Sequence, residues 1–173
     1  AEKLGIDIYE AIMLANTHHR VNIHLPGAGV GGPCLTKDPY MLTSVIPEFW
    51  GTKLIRLARR INEYMPNHTV ELVETALRSS GLSVRDARVA ILGTAYKGGV
   101  DDTRESPAKY IVAELLSRGA EVVVYDPYTA ESFGAEKALS LEDAVKDVDV
   151  ILIVTDHPEF KNLDLNIVNN LVR

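Results

Sequence analysis

Arg88-Val89-Ala90-Ile91-Leu92-Gly93 is a short unbroken run of strand-forming apolar residues closed by a glycine. Two similar runs follow, Glu121-Val122-Val123-Val124-Tyr125 and Asp149-Val150-Ile151-Leu152-Ile153-Val154. Runs that are apolar throughout, rather than alternating, belong to strands buried on both faces. Helix signals lie between them. Ser106-Pro107 supplies a cap and a first-turn proline for a helix over 108–118 that ends at Gly119, and Ser140-Leu141-Glu142-Asp143 opens another. Strands alternating with helices predict an α/β fold, a Rossmann-like parallel sheet covered on both faces.

Upstream of Arg88 the pattern changes to helix. Leu4, Ile8, Ile12 and Leu14 fall at helical spacing over 2–16, with Asp7 as a cap after Gly5. Asp38-Pro39 reads as a helix start, an Asp cap followed by proline. Pro47 opens a further helix whose apolar stripe is Leu54, Leu57, Ile61 and Met65. Pro66-Asn67 is expected to interrupt it, and Val70, Val73, Ala76 and Leu77 form a second helical face ending near Gly81. Two units are predicted, a helical segment over 1–85 and a sheet unit over 86–173.

Composition narrows the function. The 173 residues are 46% hydrophobic and 24% charged, with a net charge of -6 and no basic run longer than Ala58-Arg59-Arg60. That balance argues against a non-specific nucleic-acid binder. No apolar run is long enough to span a membrane, and no signal sequence opens the chain. One cysteine rules out an internal disulfide and suits a reducing, cytoplasmic setting. The chain starts without Met in what reads as mid-helix, as a piece of a longer protein would.

That cysteine sits in Leu25-Pro26-Gly27-Ala28-Gly29-Val30-Gly31-Gly32-Pro33-Cys34-Leu35-Thr36-Lys37-Asp38-Pro39. The glycines at 27, 29, 31 and 32 let backbone approach a ligand closely. Lys37 and Asp38 put a cation and a carboxylate close to the sulfur, and a nearby cation favours the nucleophilic thiolate. The plainer alternative is a small buried hydrophobe beside an ordinary turn. The turn after the first strand, Gly93-Thr94-Ala95-Tyr96-Lys97-Gly98-Gly99, is not G-x-G-x-x-G, so a self-contained dinucleotide fingerprint is absent. Lys97 and Arg104 lead into a helix N-terminus and suit an anion. On spacing alone, surface pairing with Asp101, Asp102 and Glu105 is the stronger reading. Asp126 reads as a turn starter with Pro127. His18, His19, His24 and Cys34 do not match a zinc-site spacing, so no metal site is assigned. Phe49 and Trp50 read as packing residues.

The stretch from Arg20 through the glycines to Cys34 and Asp38-Pro39 resembles the nucleotide-sugar 6-dehydrogenases, the UDP-glucose/GDP-mannose dehydrogenase family. It is most similar to the branch acting on UDP-N-acetyl-D-mannosamine. A second match joins Leu92-Gly93-Thr94-Ala95-Tyr96-Lys97 to Asp101-Asp102-Thr103-Arg104-Glu105-Ser106-Pro107 and Val124-Tyr125-Asp126-Pro127. The resemblance implies oxidation of a UDP-sugar C6 alcohol to the acid with NAD, for cell-surface polysaccharide precursors. It makes Cys34 the catalytic nucleophile and Asp38 the general base. Arg20, Leu25, Gly27, Gly29, Gly31, Gly32 and Lys97 become substrate-binding, and Arg104 cofactor-binding. Arg20 would reach its substrate across a homodimer interface. Pro33 and Ala28 depart from the branch, and Lys37 is more like the UDP-glucose enzymes. NAD is expected to be bound mainly by a domain absent from this chain, leaving the chain alone inactive. The alternative is a non-catalytic nucleotide-sugar-binding and dimerisation module.

Overall fold

The computed structural model describes residues 1–161 and 163. The end of the unit expected over 86–173 therefore lies outside the described residues. The first segment is helical, as expected, with its boundaries shifted. A 3-10 turn over Glu2–Leu4 ends at Gly5 in the left-handed conformation (φ 64°), so residues 2–16 do not form one helix. Helix α1 (Ile8–Ala15) follows, and Asp7 Oδ1 accepts from the amides of Tyr9 (2.8 Å) and Glu10 (3.3 Å) as its cap. Helix α2 (Asp38–Val45) starts one residue earlier than its predicted cap implies. Lys37 occupies the cap position, and the Asp38 carboxylate accepts from Lys37 Nζ instead of from backbone amides.

Helix α3 (Trp50–Ser79) corrects two expectations. It begins at Trp50 rather than Pro47, where Thr52 Oγ1 accepts from the Phe49 amide at 2.9 Å. It also runs unbroken through Pro66. Proline deletes the single amide that would have bonded to the Asn62 carbonyl and crowds that carbonyl. The helix continues because Val70, Val73 and Leu77, beyond the proline, are buried in the main core. Their burial offsets the missing bond.

The sheet follows the sequence closely. Strands β1 (Arg88–Leu92), β2 (Glu121–Tyr125) and β4 (Val150–Ile153) are the three predicted runs, and β3 (Glu136–Lys137) is a short addition. Helix α4 (Pro107–Ser117) connects β1 to β2, and α5 (Leu141–Val145) precedes β4. The order is β3-β2-β1-β4, with every pairing parallel. Successive strand residues serve opposite layers. Val89, Ile91, Val122 and Val124 pack with α3 and α4, while Ala90, Leu92 and Val123 pack with Ala144, Val145 and Phe160. The second half of α3 thus belongs to the sheet's core, although it precedes residue 86.

Because β1 is flanked by β2 and β4, chain connections leave it in both directions. The carboxyl end beside β1 is where open α/β sheets place ligands. Two glycines allow the strand ends to close there. A Cβ on Gly93 (φ 95°) would clash with Thr155, and one on Gly98 would lie 2.5 Å from the Asp156 carbonyl.

Candidate active site

The cysteine segment reaches the sheet unit through its glycines. Gly31 lies against the Glu105 carbonyl, where any Cβ would clash, and Gly32 (φ 88°) lies against the Tyr96 ring. The Gly32 amide donates to the Arg104 carbonyl at 3.0 Å. Glu105 is itself in the left-handed region (φ 51°), a conformation uncommon outside glycine. The two sequence motifs, some seventy positions apart, therefore meet as one surface.

Two asparagines hold the same loop from the helical side. Asn16 donates Nδ2 to the Ile23 carbonyl (3.0 Å), and its Oδ1 accepts from the Ile23 amide (2.7 Å). Asn62 repeats the arrangement on Val30, donating at 3.1 Å and accepting at 2.8 Å. Gly29 (φ 126°) lies against the Asn62 carbonyl that Pro66 leaves without a helical donor. Asn62 was invisible to local pattern reading. Its one signal is an asparagine, a poor helix former, in mid-helix four residues before a proline.

Cys34 is exposed, which decides against the small buried hydrophobe. Its carbonyl accepts from the amides of Lys37 (3.1 Å) and Asp38 (2.9 Å), so a single turn joins Cys34 to Asp38. Lys37 Nζ donates to Asp38 Oδ1 at 2.7 Å, and that bond raises the lysine's pKa. Arg104 pairs with Asp102 at 2.5 Å, which holds the Asp102 carboxyl below the usual carboxylate range.

A groove of about 650 Å³ opens between the residues flanking Cys34 and the turn that leads into α4. Pro33, Thr36 and Lys37 form one wall, and Arg104, Glu105 and Lys109 form the other. Its lining carries the cations Lys37, Arg104 and Lys109 against the carboxylates Glu105 and Glu131, a net positive balance that suits an anionic ligand. A smaller cavity of about 200 Å³ lies behind the loop, bounded by Gly29, Val30, Asn62, Arg59 and Pro107.

The remaining candidates divide. Arg104 pairs with Asp102, as spacing suggested, whereas Lys97 is exposed and has no ion-pair partner among the described residues. Arg20 and Leu25 are exposed, and the Arg20 side chain makes no hydrogen bond or ion pair there. Gly27 faces open space. Trp50 is 84% exposed and not a packing residue. Among the described residues, no three metal-ligating side chains converge, and no helix is long and apolar enough to cross a membrane.

Asp126 caps its turn by accepting from the Tyr128 amide at 2.8 Å, and it does more. Its Oδ2 accepts from the amides of Thr94 (2.7 Å) and Ala95 (3.0 Å) and from His157 Nε2 (2.9 Å). His157 is wholly buried, and its Nδ1 accepts from the Gly99 amide at 3.0 Å. One ring nitrogen must accept while the other donates, so the imidazole is neutral. Sequence pattern gave no hint of His157, since its partners lie 31 and 58 positions away.

The UDP-glucose/GDP-mannose dehydrogenase family models match twice, the central domain at residues 1–64 and the UDP binding domain at 90–173. The chain is 48% identical over 173 residues to a UDP-N-acetyl-D-mannosamine dehydrogenase of Pyrococcus horikoshii. A UDP-N-acetyl-D-mannosamine dehydrogenase of Methanocaldococcus jannaschii is 42% identical over 171 residues. All of this chain is matched by the first and 99% by the second, yet the match spans only 40% and 38% of those relatives' lengths. The solved Pyrococcus horikoshii UDP-D-ManNAc dehydrogenase superposes with a TM-score of 0.90, covering 99% of this chain and 39% of that one.

Proposed function

Because the chain belongs to the UDP-glucose/GDP-mannose dehydrogenase family, we propose that it carries the nucleophile and nucleotide-sugar side of an NAD-dependent UDP-sugar 6-dehydrogenase. Residues 1–85 are the helical, dimer-forming segment and 86–173 the UDP-sugar-binding unit. The substrate is UDP-N-acetyl-D-mannosamine, in keeping with the names of the relatives. The product serves as a cell-surface polysaccharide precursor, and a reducing cytoplasm suits the free thiol.

The observation that carries this reading is the docking of Gly31 and Gly32 onto the Tyr96–Glu105 turn beside an exposed thiol. The groove there has room and a net positive lining for a diphosphate, and Lys97 is a further exposed cation on the turn after β1. The turn after β1 does not fit a dinucleotide, because Asp126 already takes the amides of Thr94 and Ala95. What would hold NAD in this chain is the Arg104 guanidinium at the edge of the groove, a cation for an anionic group of the dinucleotide; NAD supplies the hydride acceptor when bound.

The chain's own residues do the following. Cys34 Sγ adds to the C6 aldehyde carbon and its proton passes to the carbonyl oxygen, giving a thiohemiacetal. Oxidation of that carbon leaves a thioester. Water then adds, the C–S bond breaks, and Cys34 returns as the thiol while Asp38 accepts the proton of water. Asp38 must leave Lys37 to do so, and both side chains are exposed.

A homodimer belongs to the same proposal. The supporting observation is an uncovered apolar face, with Trp50, Leu54, Leu57 and Ile61 of α3 exposed together. Arg20 then meets substrate in the partner's groove.

The decisive experiment is Cys34→Ala in the full enzyme. Uronic acid formation is expected to cease while UDP-sugar affinity by calorimetry stays within a few-fold. Undiminished acid formation would instead make the chain a non-catalytic binding and dimerisation module.

A further inference from the structure

We infer that Asn62 of α3 is a positioning residue for Cys34, acting through the backbone of Val30; the inference rests on the nucleophilic role proposed for Cys34. The loop between Val30 and Cys34 is held by the close packing of buried Gly31 and Gly32 on Glu105 and Tyr96 and by hydrogen bonds on either side of them. Val30 is exposed, and behind it lies the cavity of about 200 Å³ rather than packed side chains. Gly31 and Gly32 bring no side chains of their own. Beside those contacts, three successive hydrogen-bonded attachments hold the path.

The first is Asn62, whose amide engages both polar atoms of Val30. The second is at Gly32, whose amide donates to the Arg104 carbonyl and whose carbonyl accepts from Thr36 Oγ1 at 2.7 Å. The third is the turn in which Cys34 accepts from Lys37 and Asp38. Only the first ties the loop to α3, so it fixes how far the loop stands from the helical side. Asn62 itself is held in place because it lies in mid-helix, four residues before the buried Pro66. Its own carbonyl meets Gly29. Side chain and carbonyl of one residue thus seat two consecutive loop residues.

A thiol attacking a carbonyl carbon needs near-contact alignment, and small displacements are costly. The first oxidation of the alcohol does not use the thiol, whereas conversion of the aldehyde to acid does. A positioning role therefore predicts an asymmetric defect, which a general folding defect would not produce.

The test is made in the full enzyme with Asn62→Ala and Asn62→Asp. Oxidation of the UDP-sugar C6 aldehyde is followed at steady state, and alcohol oxidation as NADH formed in a single turnover. Asn62→Ala is expected to lower kcat for the aldehyde by about 10- to 100-fold, leaving its KM and the alcohol step within a few-fold. Asn62→Asp keeps the acceptor for the Val30 amide and loses the donor to its carbonyl, so it should fall between Ala and wild type. It also carries the test if Asn62→Ala does not fold. Equal slowing of both steps, or no slowing, overturns the inference. Cys34→Ala is measured alongside. Wild-type aldehyde oxidation by that variant removes the Cys34 premise, whereas its failure beside a normal Asn62→Ala refutes only the role of Asn62.

Discussion

His157 and Asp126 form a buried pair, with Nε2 donating to Oδ2 at 2.9 Å at the carboxyl end of the sheet. Through it the ends of β1, β2 and β4 are tied together. Asp126 binds the turn after β1, and His157 stacks on Tyr128 and receives Gly99. Removing either partner strands buried polar groups. His157→Ala or Asp126→Asn should cost about 3 kcal/mol in urea unfolding.

The same pair fixes an acid limb. Burial pushes the Asp126 carboxyl up, but the amides of Thr94, Ala95 and Tyr128, with His157, outweigh it and hold the pKa below its ordinary value of 3.8. A group depressed in the folded state stabilises above its unfolded pKa and loses that contribution as pH falls through the folded value. Urea midpoints should therefore drop on acidification below 3.8, and Asp126→Asn should flatten that drop.

Gly31→Ala should displace the cysteine loop, because its Cβ would strike the backbone carbonyl of Glu105, which cannot rotate away as a side chain could. Overpacking of this kind costs about 1–3 kcal/mol, seen as a lowered Tm. Turnover should fall by roughly 100-fold as the thiol moves. Gly27→Ala meets nothing within 4 Å and should leave Tm unchanged.

Arg104→Ala should weaken UDP-sugar or NAD binding more than the loss of one cation suggests. It also frees the Asp102 carboxylate, which Arg104 now neutralises from its place in the groove lining. Removing both, with Arg104→Ala and Asp102→Ala together, should recover much of a roughly tenfold loss in Kd. Titration calorimetry of the two variants decides the point.

Leu57→Glu should halve the sedimenting mass of the full enzyme, since it puts a charge into the exposed Trp50–Ile61 stripe. An unchanged mass would remove α3 from the dimer interface.

Much of this was legible in the chain. Unbroken apolar runs gave β1, β2 and β4, and Ser106, Ser140 and Asp7 marked helix starts, because caps and buried strands are local signals. Pro66 misled because a proline announces its missing amide but not the burial of Val70, Val73 and Leu77 that carries the helix past it. Strand β3 is two exposed residues with no pattern to read. Asn62, His157 and the crossing of Gly31 under Glu105 escaped because each is a pairing over long sequence separation. The candidate site was legible as two motifs, and their contact was not.

At about 1.5 Å per residue, the thirty residues of α3 make a mast about 45 Å long. Its foot is set in the sheet's core, its head packs against α2 and carries the exposed apolar stripe, and Asn62 grips the cysteine loop midway. One continuous helix thus joins the sheet's core, the exposed stripe and the loop that bears the thiol.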